Sequence, residues 1–229
     1  MFNLAGYNLT DYEILSLRQE QNNFILSIVV AIITFVSVVL IYIDYRNRKN
    51  KERAEKSIEI AKAFAREIIN PISLLYAFFT ANHIDSIINK INFLRLEDFD
   101  FEELNSLYNA SDIKEYQDLI HKNDSDLKIK ALICDTLNKL EYMCMYISTK
   151  VADEKYIYNS LHQQFLKAIA LLYIEISSTN KDSKDKYYTN IIHVYNLWKN
   201  KYIKASKKEE DFKKKQKQKK KKLLPSHKI

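Results

Sequence analysis

Two glutamates interrupt strongly apolar stretches and are the first candidates for chemistry in this sequence. Glu141 lies in LEYMCMYI and Glu175 lies in LLYIEI. Buried carboxylates must be paired or protonated, and two that face each other can hold a metal or share a proton. The simpler interpretation places each at the edge of its apolar stripe, within reach of a Lys or Tyr side chain. We therefore predict no catalytic residue, no metal ligand and no cofactor.

The other polar residues match no catalytic motif. The chain has five histidines, at His83, His121, His162, His193 and His227. None forms HExxH or another close ligand pair, which argues against a zinc site, although two of them, His162 and His193, lie on adjacent predicted helices. GxSxG is absent, and the only glycine is Gly6. Rossmann and P-loop nucleotide sites need glycine-rich loops and are excluded.

The two cysteines, Cys134 and Cys144, lie ten residues apart within one amphipathic pattern. That spacing prevents them from pairing within a straight helix, and the chain has no CxxC motif. We interpret both as small buried apolar residues of a protein in a reducing compartment.

Positive charge is concentrated at the C-terminus. Residues 204–229 hold twelve lysines against three acidic residues, whereas the remaining 203 residues sum to a charge of −2. We predict that this tail is disordered and binds anionic lipid, or RNA or DNA without sequence preference, unless it has no dedicated partner. The lysines proposed to bind a polyanion are Lys213, Lys214, Lys215, Lys217, Lys219, Lys220, Lys221 and Lys222.

Residues 24–43 read as a transmembrane helix that follows a short extracytoplasmic segment, residues 1–23. Twenty uncharged, mostly aliphatic residues span about 30 Å as a helix, the thickness of a hydrocarbon core. Tyr42 and Tyr45 lie where an interfacial aromatic belt is expected. A cleaved signal peptide fits poorly, because its charged region precedes a shorter apolar core. Ser27, Ala31 and Thr34 share one face, which suggests self-association.

The charges that flank the span predict its orientation. Only Arg18 precedes it, whereas seven cations follow within twenty residues: Arg46, Arg48, Lys49, Lys51, Arg53, Lys56 and Lys62. Positive-inside bias places the N-terminus outside the cell (inner) membrane and the C-terminal body in the cytoplasm.

We predict an all-α fold in which the span continues as a juxtamembrane helix, residues 44–70, into a cytoplasmic antiparallel bundle, residues 71–203. The juxtamembrane helix shows an apolar seam and ends or kinks before Pro71. The seam residues are Ala54, Ile58, Ala61, Ala65 and Ile68. Capping boxes are expected at Thr10 with Glu13 and at Asp100 with Glu103.

Short helices follow around residues 100–120, and then three long amphipathic helices. The first of these carries Ile133, Leu137, Leu140, Cys144, Ile147 and Val151. The second starts near Asp153 and carries Ile157, Leu161, Phe165, Ile169, Leu172 and Ile176. The third carries an aromatic stripe, which is more often core than a binding face: Tyr188, Tyr195, Trp198 and Tyr202.

Two stretches, IYIDYRNRKNKERAEKSIEIAKAF and LNKLEYMCMYISTKVADEKYIYNSL, carry a resemblance to uncharacterised bacterial single-pass membrane proteins, some of them from prophages. The resemblance covers most of residues 24–203 but not the tail, and Glu141, Asp153 and Glu154 match its helix–acidic turn–helix pattern. It implies a cytoplasmic helical domain without a known activity. Some similar proteins are suspected of roles in phage resistance.

These observations predict a membrane-anchored, non-enzymatic interaction or scaffold protein, with an unknown protein partner and a role in phage defence or stress. The alternative is a membrane-tethered nucleic-acid-binding protein that acts through its lysine tail. An enzyme built on Glu141, Glu175 and a metal is the third hypothesis.

Overall fold

The computed structural model describes residues 11–90, 92–121, 124–181 and 184–223. In helical residues 11–21, 85, 121, 124–126 and 217–223 it describes the backbone but not the side chains. In these ranges the secondary structure is helical, with short connecting loops and no strand, which confirms the all-α prediction. It divides into two compact units, one up to Glu52 and one from Arg53 onward.

Eight α-helices and one short 3₁₀ turn, Phe93–Arg95, make up the described chain. The helices are α1 (Asp11–Glu67), α2 (Ile69–Ala81), α3 (Asp85–Ile88), α4 (Phe101–Leu107), α5 (Ala110–His121), α6 (Asp124–Ser148), α7 (Glu154–Thr179) and α8 (Thr189–Leu223).

The first unit contains one helical segment that is long and apolar enough to cross a membrane. Side chains from Phe24 to Ile43 are exposed. The segment's hydroxyls bond back to the helix, as in the 2.9 Å hydrogen bond from Thr34 Oγ1 to the Val30 carbonyl. Ser27 and Ser37 make equivalent bonds, so these residues present no unpaired hydroxyl to an apolar solvent. Thr10 and the Glu13 side chain, the first capping box, lie outside the described part.

The break between α1 and α2 comes slightly before the predicted position. α1 ends at Glu67 and α2 begins at Ile69, so Pro71 lies in the first turn of the new helix. A proline is tolerated there because the first turn has no intrahelical partner for its missing N–H.

The predicted seam of the juxtamembrane helix is confirmed at Ile68, which is buried, and in part at Ala54 and Ala61, which are half-buried, but it is wrong at two positions. Ile58 is 55% exposed, and Ala65 is exposed as well. The buried positions are Ser57, Ile60, Phe64 and Ile68. Alanines fit a seam by spacing alone, but the larger side chains of Ile60 and Phe64 bury more apolar area and so decide which face packs.

The core of the second unit is built mainly on α6, α7 and α8. α8 packs against both α6 and α7, and α5 and α2 also pack on α6. All six predicted apolar positions of α7 are buried, which confirms that pattern. On α6 the pattern is confirmed from Ile133 to Ile147, but it ends before Val151, which is 47% exposed beyond the helix.

The aromatic stripe of α8 belongs to the core, as its spacing suggested. Tyr195 and Trp198 are fully buried, and Tyr188 and Tyr202 are partly buried and pack against the core. Phe99 and Phe165 contact Tyr195 and Trp198 edge to face, at ring-centroid distances of 5.0 and 4.8 Å.

α8 also extends where the sequence predicted disorder. It continues without interruption to Leu223, and residues 224–229 lie outside the described part. Lys, Glu and Gln are good helix formers, and residues 204–223 contain neither glycine nor proline. Since the packed part of α8 already supplies the helical nucleus, each added residue only extends it.

Candidate functional site

Glu141 is a residue of α6, and its side chain lies against the start of α8, where it caps that helix. Its carboxylate oxygens accept hydrogen bonds from the backbone N–H of Asn190 (3.1 Å) and Ile191 (2.9 Å), and from the Asn190 side chain (2.8 Å). The residue before α8, Tyr188, has a left-handed φ of 60° and no side chain suited to capping. Glu141 therefore satisfies N–H groups that have no partner within the helix.

Glu175 is half-buried and lies near Tyr116, Cys134 and Tyr188. Burial raises the pKa of all three side chains, and the negative charge of Glu175 raises each further. Glu141 also raises the pKa of Tyr188, so both carboxylates act on this phenol. Within the described ranges, no group of three or more His, Cys, Asp or Glu side chains is placed to hold a metal ion.

The pKa values of both cysteine thiols are raised, which disfavours the thiolate form. Burial, and then the charge of Glu141, raises the pKa of Cys144 well above its ordinary value. Burial also raises the pKa of Cys134, with Glu175 adding to the rise and Lys130 opposing it. Because the thiolate is the reactive form, neither cysteine has the environment of a nucleophile.

His162 has an aromatic environment. Its ring stacks on Tyr158 at 4.4 Å between centroids, and Nδ1 lies 2.7 Å from the Tyr158 carbonyl oxygen. His193 is exposed on α8. Of the remaining histidines, His227 and the side chain of His121 lie outside the described part.

The Glu103 carboxylate holds the segment between the 3₁₀ turn and α4, although the sequence predicted only a capping role for it. Asp100 caps α4 by accepting a bond from the Glu103 N–H (2.8 Å). The Glu103 carboxylate accepts bonds from the N–H groups of Glu97, Asp98 and Phe99, and from the Tyr173 hydroxyl on α7. With four donors supplied by the chain, Glu103 stabilises the segment rather than offering an acceptor to a ligand.

Lys199, only 2% exposed, fixes the same segment from α8. Its Nζ donates to the Leu96 carbonyl (2.6 Å) and lies 3.4 Å from Glu97 Oε1. Buried Asn180, just after α7, donates to the Phe99 carbonyl at 3.0 Å. Sequence reasoning missed both residues. The available signal was a lysine on the apolar face of α8, directly after Trp198.

The basic arm is defined as residues 204–223 of α8, which hold eleven lysines and three acidic residues. Lys213, Lys214 and Lys215 are exposed, and Lys213 forms an i,i+4 ion pair of 2.6 Å with Glu209. The remaining candidate lysines lie in a helical backbone, but their side chains are outside the described part: Lys217, Lys219, Lys220, Lys221 and Lys222.

The candidate interfacial residues follow the apolar segment on α1. Tyr42 and Tyr45 are each 62% exposed. Arg46, Lys49 and Lys51 are exposed too, and Arg48 pairs with Asp44 at 2.8 Å. In the second unit, the half-buried Arg53 continues the basic run.

Comparison with known proteins finds one family. Residues 67–198 match the model of a domain of unknown function, DUF4760. The match starts at the last residue of α1 and ends at Trp198, so the candidate span and the basic arm lie outside it. No curated protein and no solved structure matches the chain significantly.

Proposed function

The chain belongs to the DUF4760 family, and we propose that it is a membrane-anchored, non-enzymatic interaction protein of bacterial type that binds a polyanionic surface through its basic arm. The observation that carries this proposal is the continuation of α8 beyond the core, with exposed lysines on the extension. A helix of about 20 residues is about 30 Å long. Its lysines can therefore meet an extended surface.

In this proposal residues 24–43 cross the cell (inner) membrane, with residues 1–23 outside and the body in the cytoplasm. The strong excess of Lys and Arg after the span supports this orientation. The exposed aliphatic side chains of the first unit support insertion, because leaving them in water carries a large cost in free energy. The proposed role in phage defence or stress stays a prediction from resemblance.

Anionic lipid is the partner that best fits a basic arm on an anchored chain. Each lysine near an anionic leaflet gains about 1 kcal/mol, and the anchor keeps the arm at high effective concentration near that leaflet. Glu209, Glu210 and Asp211 precede the lysine run, so the outer part of the arm carries most of its charge.

The second candidate is nucleic acid, which the same exposed lysines would bind through phosphates without reading bases. Both interactions weaken as salt rises, because salt screens the lysine charges in each case. Binding to duplex DNA weakens with a slope of about −0.9 per phosphate neutralised on a log–log plot.

Neutralising the arm tests the proposal. The full chain is placed in zwitterionic nanodiscs and titrated with phosphatidylserine vesicles, with phosphatidylcholine vesicles and with labelled RNA and DNA. The triple variant Lys213→Gln, Lys214→Gln and Lys215→Gln is expected to bind anionic vesicles roughly tenfold to a hundredfold more weakly at low salt. The matched control removes three exposed lysines of the body: Lys114→Gln, Lys128→Gln and Lys155→Gln.

Equal vesicle binding by the arm variant and the wild-type chain would refute the proposal, as would an equal loss in the control variant. Retention of RNA or DNA without vesicle binding, lost on deletion of residues 204–229, would favour the second candidate.

A further inference from the structure

The helical body contains an apolar groove of about 740 Å³, within the size range of ordinary small-molecule sites. It lies between the last turn of α1, α2, the region of α3 and the 3₁₀ turn, and α7. The apolar residues that define it are Phe64, Ile68, Ile72, Ile88, Phe93 and Leu171.

One charge lines this groove. Lys167 of α7 is the single charged side chain among the described lining residues, and it makes no hydrogen bond or ion pair with the rest of the described chain. No carboxylate lines the described groove. The charge of the groove therefore favours a ligand with an anionic group.

Amide groups accompany Lys167 in the lining. Gln164 is exposed one turn earlier on α7. Asn92 uses its Oδ1 to accept a 3.0 Å bond from the Leu94 N–H, which leaves its Nδ2 as a donor. Hydrogen bonds from these amides would complement a carboxylate or phosphate oxygen beside the lysine.

We propose that this groove binds a single-chain amphiphile with an anionic headgroup. The hydrocarbon chain lies along the apolar lining, and the carboxylate or phosphate pairs with Lys167. Tyr76 and Ile69, 51% and 37% exposed at the groove, are apolar surface that such a chain would cover. A neutral amphiphile of the same length has no charge to pair with Lys167, and a cationic amphiphile is repelled by it. The proposal is independent of the basic arm.

A photoreactive palmitate with a diazirine in its chain tests this. It is added to the full chain in phosphatidylcholine nanodiscs, and cross-links are mapped by mass spectrometry to peptides of α2 and α7. Unlabelled palmitate and lysophosphatidate are the competitors, and hexadecanol is the neutral control. Whichever anionic competitor displaces better identifies the source, a free carboxylate or a phosphate headgroup.

Two variants test separately the contact with the headgroup and the contact with the hydrocarbon chain. Lys167→Gln is expected to weaken palmitate competition roughly threefold to tenfold and to leave that of hexadecanol unchanged. Ser73→Trp places a bulky ring at an exposed lining position and is expected to abolish saturable cross-linking. Lys155→Gln, an exposed lysine on the same helix outside the groove lining, should match the wild-type chain.

Absence of saturable cross-links at these peptides would overturn the proposal. Equal competition by palmitate and hexadecanol, unchanged in Lys167→Gln, would overturn its anionic headgroup.

Discussion

At the scale of single residues, two carboxylates stabilise the backbone: Glu141, a candidate for chemistry in the sequence, and Glu103, which the sequence assigned only to capping. Glu141 caps α8 across a helix–helix contact, and Glu103 closes the turn before α4 with four donors. Glu141 takes the place of the short polar residue that usually caps a helix. Glu103 stabilises a turn of a kind in which glycine is common. This chain has glycine only at position 6, and in its described part the left-handed backbone falls on other residues: His83, Phe99, Lys150 and Tyr188. At Phe99 the N–H donates to Glu103 and the carbonyl accepts from Asn180, which holds this backbone in place.

Glu141→Ala is expected to lower the free energy of unfolding by about 1–3 kcal/mol, because two half-buried backbone N–H groups at the start of α8 lose their acceptor. Glu141→Gln keeps an acceptor oxygen and should cost less. Thermal midpoints of the full chain in mild detergent measure both.

Glu115→Ala, an exposed glutamate on α5, is the control and should change stability by less than about 0.5 kcal/mol. If Glu141→Ala behaved like this control, the capping role would be wrong. Bound metal lost on Glu141→Gln would instead support the metal-enzyme hypothesis.

At the scale of elements, α8 has two parts with different sources of stability. Up to Tyr202 its aromatic residues pack in the core, whereas from Lys204 on almost every described side chain is exposed. The arm is therefore stabilised only by local helix propensity and i,i+4 pairs such as Glu209 with Lys213.

Ala205→Pro is expected to reduce helical circular dichroism by an amount that corresponds to the arm, and to leave the thermal midpoint of the body nearly unchanged. Proline removes an N–H donor and clashes with the preceding turn at an exposed position outside the core. Ala205→Ser is the conservative control. An unchanged spectrum would contradict a helical arm, and a large fall in midpoint would show that the arm supports the core.

At the scale of the whole molecule, the chain combines an apolar helical segment, a family domain and a basic arm. DUF4760 covers only the middle part, so the activity of the domain and its attachment to a membrane through the flanking segments are separate questions. The proposed topology connects them, because it places both basic segments, residues 46–62 and 204–222, on one side of the membrane.

That topology predicts the behaviour of C-terminal fusions in bacterial cells. A green fluorescent protein fused after residue 229 should fluoresce, and alkaline phosphatase at the same point should stay inactive, because the proposed topology puts the C-terminus in the cytoplasm. Replacing Arg46, Arg48, Lys49, Lys51 and Arg53 with Gln removes much of the charge bias and should yield a mixture of orientations. An active phosphatase fusion in the wild-type chain would contradict the proposed topology.

The sequence alone determined the helical fold class, the apolar segment and the buried faces of α7 and α8, because these follow from composition and from periodicity along one helix. Residues such as Leu161, Phe165 and Ile169 recur every three or four positions, and no partner is needed to recognise that pattern.

Only the tertiary structure decided which α1 face packs, what Glu141 and Lys199 bind, and where the groove lies. Ile58 and Ile60 are equally apolar, and the neighbouring helices select Ile60 for the core. The Glu141 carboxylate meets N–H groups 49 and 50 residues away in sequence. Such pairings depend on how helices pack in space, and no local pattern encodes them.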